Sequence, residues 1–168
     1  MNARSQMNAV FRTEVTNFVP RGAVISAFQK RDVQARVAHP NSKWVKELTP
    51  RFDELTGLDR GWDGYDGLPV SFACAQFAAN LLERLYVKTV PSPHLVPGSD
   101  GTVQIEWHRN QFDVEIEVLA PFQILATRYS HLTDKTEELV LSADFTDLMG
   151  WVDGLAMEHD ILALGGAA

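Results

Sequence analysis

The chain has 168 residues, 45% hydrophobic and 22% charged, which suits one domain with a core of its own. No apolar run reaches the ~18 residues of a membrane-spanning helix, and the polar start MNARSQMNAVFR lacks the apolar centre of a secretory leader. One cysteine, Cys74, excludes an internal disulfide and a multi-cysteine zinc site, so a reducing, cytoplasmic setting is expected.

The formal charge of −7 is unevenly spread. Residues 1–60 hold ten Lys or Arg against six Asp or Glu, a balance of +4, while residues 61–168 hold five against sixteen, a balance of −11. An acidic body repels phosphate, so nucleic acid is a poor partner for it. Any such contact would have to come from the weakly basic first sixty residues.

Residues 1–40 read as an N-terminal arm or extension. Val10 to Phe18 is strand-like, and Pro20-Arg21-Gly22 is a turn signal. Ala23 to Val37 fits either a strand followed by a helix or one helix with Val24, Ala27, Phe28, Arg31 and Ala35 at helical spacing; the first is preferred. The break His39-Pro40-Asn41-Ser42 opens a domain spanning 41–158. Ser42 to Leu55 is a helix with Trp44, Val45, Leu48, Phe52 and Leu55 on one face. Pro50 either lies in the first turn of a shorter helix from Thr49 or kinks the longer one. After a loop rich in Gly, Asp and aromatics, Ser71 caps a helix from Phe72 to about Val87, striped by Cys74, Phe77, Ala78, Leu81, Leu82 and Leu85. Cys74 is expected to be a buried small hydrophobe.

Pro91, Pro93 and Pro97 mark an extended connector, and Gly101 to Val118 is a β-hairpin. Two further strands follow, Phe122 to Tyr129 and Glu137 to Leu141, around the polar turn His131 to Thr136. Ser142 is expected to cap a last helix, with Asp144 in its first turn and Phe145, Leu148, Met149, Val152 and Leu155 facing the core. Residues 159–168 read as a loose tail. Together these elements predict an α+β fold: an antiparallel meander sheet of about four strands with helices packed on one face.

The hairpin carries the candidate site. A turn centred on Arg109-Asn110 would set Trp107 opposite Phe112, Glu106 opposite Asp113, Gln104 opposite Glu115 and Thr102 opposite Glu117. Since side chains alternate along a strand, one face collects Val103, Ile105, Trp107, Phe112, Val114 and Ile116, and the other Gln104, Glu106, Asp113, Glu115 and Glu117. Like charges across a strand pair cost roughly a few tenths of a kcal/mol per pair; Arg128 on the third strand is the expected relief. Such a face is a solvated surface, a docking surface for a protein partner with a basic surface, or a metal-centred site built on Glu106, His108, Asp113 and Glu115. No nucleophile elbow, metalloprotease helix motif or phosphate-binding glycine loop occurs, so no catalytic residue and no cofactor is assigned.

The loop Asp59-Arg60-Gly61-Trp62-Asp63-Gly64-Tyr65-Asp66-Gly67 brings three carboxylates close in sequence. Their spacings of four and three, with no closing Glu, do not fit a calcium loop of the EF-hand type. A structured connector fits better: Gly61, Gly64 and Gly67 allow positive φ, the Asp side chains bond local N–H groups, and Trp62 and Tyr65 plug the edge of the core. No metal ligand is assigned.

Gly61-Trp62-Asp63-Gly64-Tyr65, followed by Pro69 and then by Asp100-Gly-Thr-Val-Gln-Ile-Glu-Trp107, resembles a widespread group of small bacterial proteins sharing a GWDGY…P loop and a DG-x-(V/I)-Q-x-E-W strand. The resemblance covers about Trp44 to Leu155 and leaves the first forty residues outside. The group has no established activity, so the resemblance implies a domain and not a mechanism. It also implies that Trp62, Tyr65, Gln104, Glu106 and Trp107 form one unit with the loop packed against the strand. Asp66-Gly67 departs from the small neutral pair expected there. The functional expectation is a non-enzymatic, protein-binding module of bacterial or phage origin, inhibitor- or antitoxin-like, with a metal-dependent hydrolase as the alternative.

Overall fold

A computed structural model gives the fold, described for residues 25–30, 33–37 and 42–156. The expectations for Val10 to Phe18 and for the tail from residue 159 lie outside the described residues. Strands β1 (Ile25–Lys30) and β2 (Val33–Val37) form an antiparallel pair. The helix expected after the first strand is therefore corrected to a second strand. Its sequence, VQARV, places apolar residues at every second position between β-branched ends, a pattern that suits a strand better than a helix.

Helix α1 (Lys43–Gly57) begins at Ser42, whose hydroxyl accepts the Val45 N–H at 3.2 Å. It runs through Pro50, so the shorter helix from Thr49 is set aside. Helix α2 (Phe72–Leu85) is capped in the same way by Ser71, which accepts the Cys74 N–H. Its Ala75, Ala78 and Ala79 are fully buried, and side chains this small let neighbouring elements approach closely. α1 lies against α2, and the β1–β2 pair lies against both helices.

The main sheet has five strands in meander order: β3 (His94–Pro97), β4 (Val103–Arg109), β5 (Phe112–Ala120), β6 (Gln123–Ser130) and β7 (Lys135–Leu141). The fold is thus α+β, with the helices packing on the sheet's apolar face. The fifth strand comes from the proline connector. Proline forfeits a ladder donor, but a short edge strand can place it where no donor is needed. Just before β3 the chain offers carbonyls to two indoles: Trp44 Nε1–H donates to Val90 O at 2.9 Å and Trp107 Nε1–H to Pro91 O at 3.0 Å. The two rings lie 5.5 Å apart between α1 and β4, so each large ring is buried without an orphaned donor.

Helix α3 (Thr146–Gly154) corrects the expected cap. The helix starts after Phe145, and Asp144 accepts the Thr146 N–H at 3.0 Å and its hydroxyl at 2.7 Å, so Ser142 plays no part. With that start the inner stripe is Leu148, Trp151, Val152 and Leu155, at spacings of three, one and three, and Met149 faces solvent. Arg109 Nε and Asn110 Nδ2 donate to Leu155 O, fastening the end of α3 to the β4–β5 turn. Among the described residues no helix is long and apolar enough to cross a membrane.

Phe52 is fully buried where α1 meets the core, whereas Tyr65 is 88% exposed. Phe52→Ala is expected to destabilise by about 3–5 kcal/mol and Tyr65→Ala by no more than about 0.5 kcal/mol, measured by chemical denaturation.

Candidate functional site

The hairpin turns one residue later than the sequence suggests. Arg109 pairs with Phe112, so Asn110 and Gln111 are the turn residues, with φ of 51° and 66°. A two-residue turn that matches strand twist needs positive φ at both centres, and asparagine tolerates that conformation far better than arginine. The pairs are therefore Gln104 with Glu117, Glu106 with Glu115 and His108 with Asp113. Each partner moves by two residues, an even step, so every side chain keeps the face assigned to it.

Ladder pairs continue across the sheet and place the site in rows. One row runs Val96, Gln104, Glu117, Leu125, Val140. The next runs His94, Glu106, Glu115, Thr127, Glu138. The third runs His108, Asp113, Tyr129, Thr136. Opposite this face lie the buried Val103, Ile105, Trp107, Val114, Ile116 and Val118. Along β4 and β5 the acidic face's own residues stay partly or fully exposed. No strand position on this face carries Lys or Arg.

Arg128 is not the relief for these charges. It pairs with Val114, which puts it on the helix side, where it bonds Glu137 and lies over the Trp151 ring at 4.9 Å. A bulge between Val118 and Ala120 shifts the β5–β6 register, and that decides which β6 residues share the acidic face. Relief comes instead from histidines and an amide. Asp113 Oδ1 accepts from His108 Nδ1 at 2.9 Å and Asp113 Oδ2 from His131 Nε2 at 2.8 Å. His108 Nε2 lies 3.6 Å from Glu106 Oε2, and Gln104 Nε2 donates to Glu115 Oε2 at 3.1 Å. The His131 ring meets Tyr129 edge-on at 4.8 Å, and the Tyr129 hydroxyl donates to Asp134. Asp113 thus ties the β4–β5 hairpin to the β6–β7 turn through both carboxylate oxygens.

Electrostatics follow the bonds. The bond to Asp113 raises the His108 pKa above its usual 6.5, against the opposing effect of burial. For Asp113, burial pushes the carboxyl up, but the bonds from His108 and His131 outweigh it and hold the pKa below 3.8.

The Asp59–Gly67 loop folds on itself. Asp63 Oδ1 accepts the Tyr65 N–H at 2.9 Å and the Gly67 N–H at 3.0 Å, which lowers the Asp63 pKa. A Cβ at Gly67 would lie 2.6 Å from Asp63 Cγ, so a larger residue there would push this carboxylate off its two N–H donors. Trp62 Nε1 donates to Leu68 O, but Tyr65 points into solvent and plugs nothing. Two backbone bonds, Leu68 N–H to Ser99 O and Ser71 N–H to Gly101 O, moor the loop's end to the turn before β4. Trp107 lies at the far end of that strand, against Trp44 and Pro91. The loop's end therefore meets the chain just before β4, while Trp107 is held near the strand's other end.

Among the described residues no group of three or more His, Cys, Asp or Glu is placed to hold a metal ion. Of the residues named from sequence, Gln104, Glu106, Asp113, Glu115 and Glu117 share one face. His131, Tyr129 and Glu138 join them there or at its border, and only strand pairing across the meander could have revealed them. Compared with protein-family models, curated proteins and solved structures, the chain finds no match.

The His108–Asp113 pair has a signed pH dependence. The raised His108 pKa adds stability that is full below 6.5 and is lost as pH rises through the folded value. The lowered Asp113 pKa adds stability that is full above 3.8 and is lost as pH falls through the folded value. The pair therefore contributes most between those limits. Denaturation of wild type and His108→Gln is expected to differ more at about pH 5.5 than at about pH 9.

Proposed function

We propose that this chain is a non-enzymatic protein-binding module whose open, acidic sheet face engages a basic surface of a partner protein. The observation that supports it is the row Glu106, Glu115 and Glu138, with Asp113 and Glu117 beside it and no cation on any strand position of the face. Glu106 and Glu115 stand directly opposite each other, an arrangement that costs stability when nothing neutralises it. A basic partner would relieve that repulsion and would be drawn in by the same field. An inhibitor- or antitoxin-like role in a bacterial or phage setting fits this chemistry by analogy, with a nucleic-acid-handling enzyme or a toxin as the kind of basic target.

The binding predicted is steeply salt-dependent, because exposed charges are screened within about 10 Å at 0.1 M salt. Pull-down from bacterial lysate at low and high salt is the check. Glu106→Lys/Glu115→Lys, which leaves the Asp113 bridge in place, should weaken capture at least about tenfold. Retention of the same partner by this variant, or at high salt, would remove the proposal.

A further inference from the structure

The two edges of the main sheet are unlike. At β3 the edge is four residues long, is flanked and ended by Pro93 and Pro97, and has Arg51 Nε and Nη2 donating to Leu95 O. Short length, proline and a covering side chain are the usual means of blunting an edge. β7 has none of these. It is seven residues of Lys-Thr-Glu-Glu-Leu-Val-Leu without proline or bulge, and among the described residues no strand pairs with its outer side.

The direction of its backbone groups follows from the ladder. His131 N–H donates to Gln111 O, so odd-numbered residues of β6 turn their backbone toward β5 and even-numbered ones toward β7. Arg128 and Ala126 therefore bond Glu137 and Leu139, leaving the N–H and C=O of Thr136, Glu138 and Val140 directed outward. The same alternation sends Leu95 outward on β3, where Arg51 meets its carbonyl. Two depressions among the described residues border β7. One, of about 470 Å³, lies between the strand and α3, with Trp151, Glu137 and Asp147 in its lining. The other, of about 380 Å³, lies on the strand's far half beside Leu125 and Val140, and Val140 is 87% exposed.

We infer that β7 is a strand-addition edge: an extended segment of the basic partner pairs along it, placing Lys or Arg beside Glu138 and an apolar residue beside Val140. This rests on the acidic-face reading above and names how the partner is held. Backbone bonds to an open edge supply affinity, and alternate side chains supply choice. Charge complementarity selects the occupant, since Glu138 and Asp147 flank the edge, with Glu137 beside them already bonded to Arg128. A second copy brings the same acidic strand and repels.

The test uses the full chain and a labelled peptide of about ten residues with Lys and Val taking turns at every second position and Thr between them, so that Lys can meet Glu138 while Val meets Val140. A control peptide of equal charge carries proline at its centre. Val140→Pro removes only an outward N–H, so the β6–β7 ladder stays intact. Expected are at least about tenfold weaker binding of the alternating peptide by Val140→Pro, and of the proline peptide by wild type, with amide shifts at Thr136, Glu138 and Val140. The wild-type comparison does not depend on whether Val140→Pro folds. Equal binding of the two peptides by wild type would overturn the edge while leaving the acidic face standing. So would a wild-type dimer that Val140→Pro dissolves. Loss of lysate capture in Glu106→Lys/Glu115→Lys, with capture intact in Val140→Pro, would separate the two readings in the same way.

Discussion

The β4–β5 register is the constraint on which the rest of the structure depends. A strand's side chains alternate, so a slip of one residue would drive Val103, Ile105, Val114 and Ile116 into water and bring Glu106 and Glu115 against α2. Two residues at positive φ, Asn110 and Gln111, set that register, and the turn is fastened to the end of α3 through Leu155 O. With the register set, Trp107 falls beside Trp44 and both indoles reach backbone carbonyls of the chain leading into β3. The acidic face is the necessary other half of that arrangement.

Charge is handled differently on the sheet's two sides. On the helix side the one arginine of β6, Arg128, is spent on Glu137 and on the faces of Phe112 and Trp151. On the open side Asp113 is satisfied by two imidazoles, whereas Glu106 stands opposite Glu115 with the Gln104 amide on Glu115 and a longer contact of 3.6 Å from His108 to Glu106. The carboxylate at the corner is fully satisfied, while the middle row keeps a like-charge pair with weaker relief, and the proposed partner surface rests on that difference.

What could be read from the sequence was periodic. Helices α1 and α2, their serine caps and the two faces of the hairpin depend on spacing within a single segment, and they are legible for that reason. Parity protects the face assignment even though the turn was placed one residue early. The face of Arg128 is not legible in its own strand, because it depends on a bulge in β5. The His108–Asp113–His131 bridge joins residues up to 18 apart in sequence, and no local pattern announces it. An aromatic residue in a loop is expected to seek a core, but the Asp63 turn uses the Tyr65 N–H and leaves its ring in solvent. The prolines around β3 concealed a strand, since they lie where an edge can spare a donor.

The central claim is that the acidic face is occupied by a basic partner. Carboxylate labelling tests it most directly, with a water-soluble carbodiimide applied to the chain in buffer and in bacterial lysate, and modification mapped residue by residue. Glu106, Glu115 and Glu138 should react in buffer and be protected in lysate, while Asp66, on the loop at the other end of β4, reacts equally in both. Equal labelling of all four residues in the two conditions would contradict the claim.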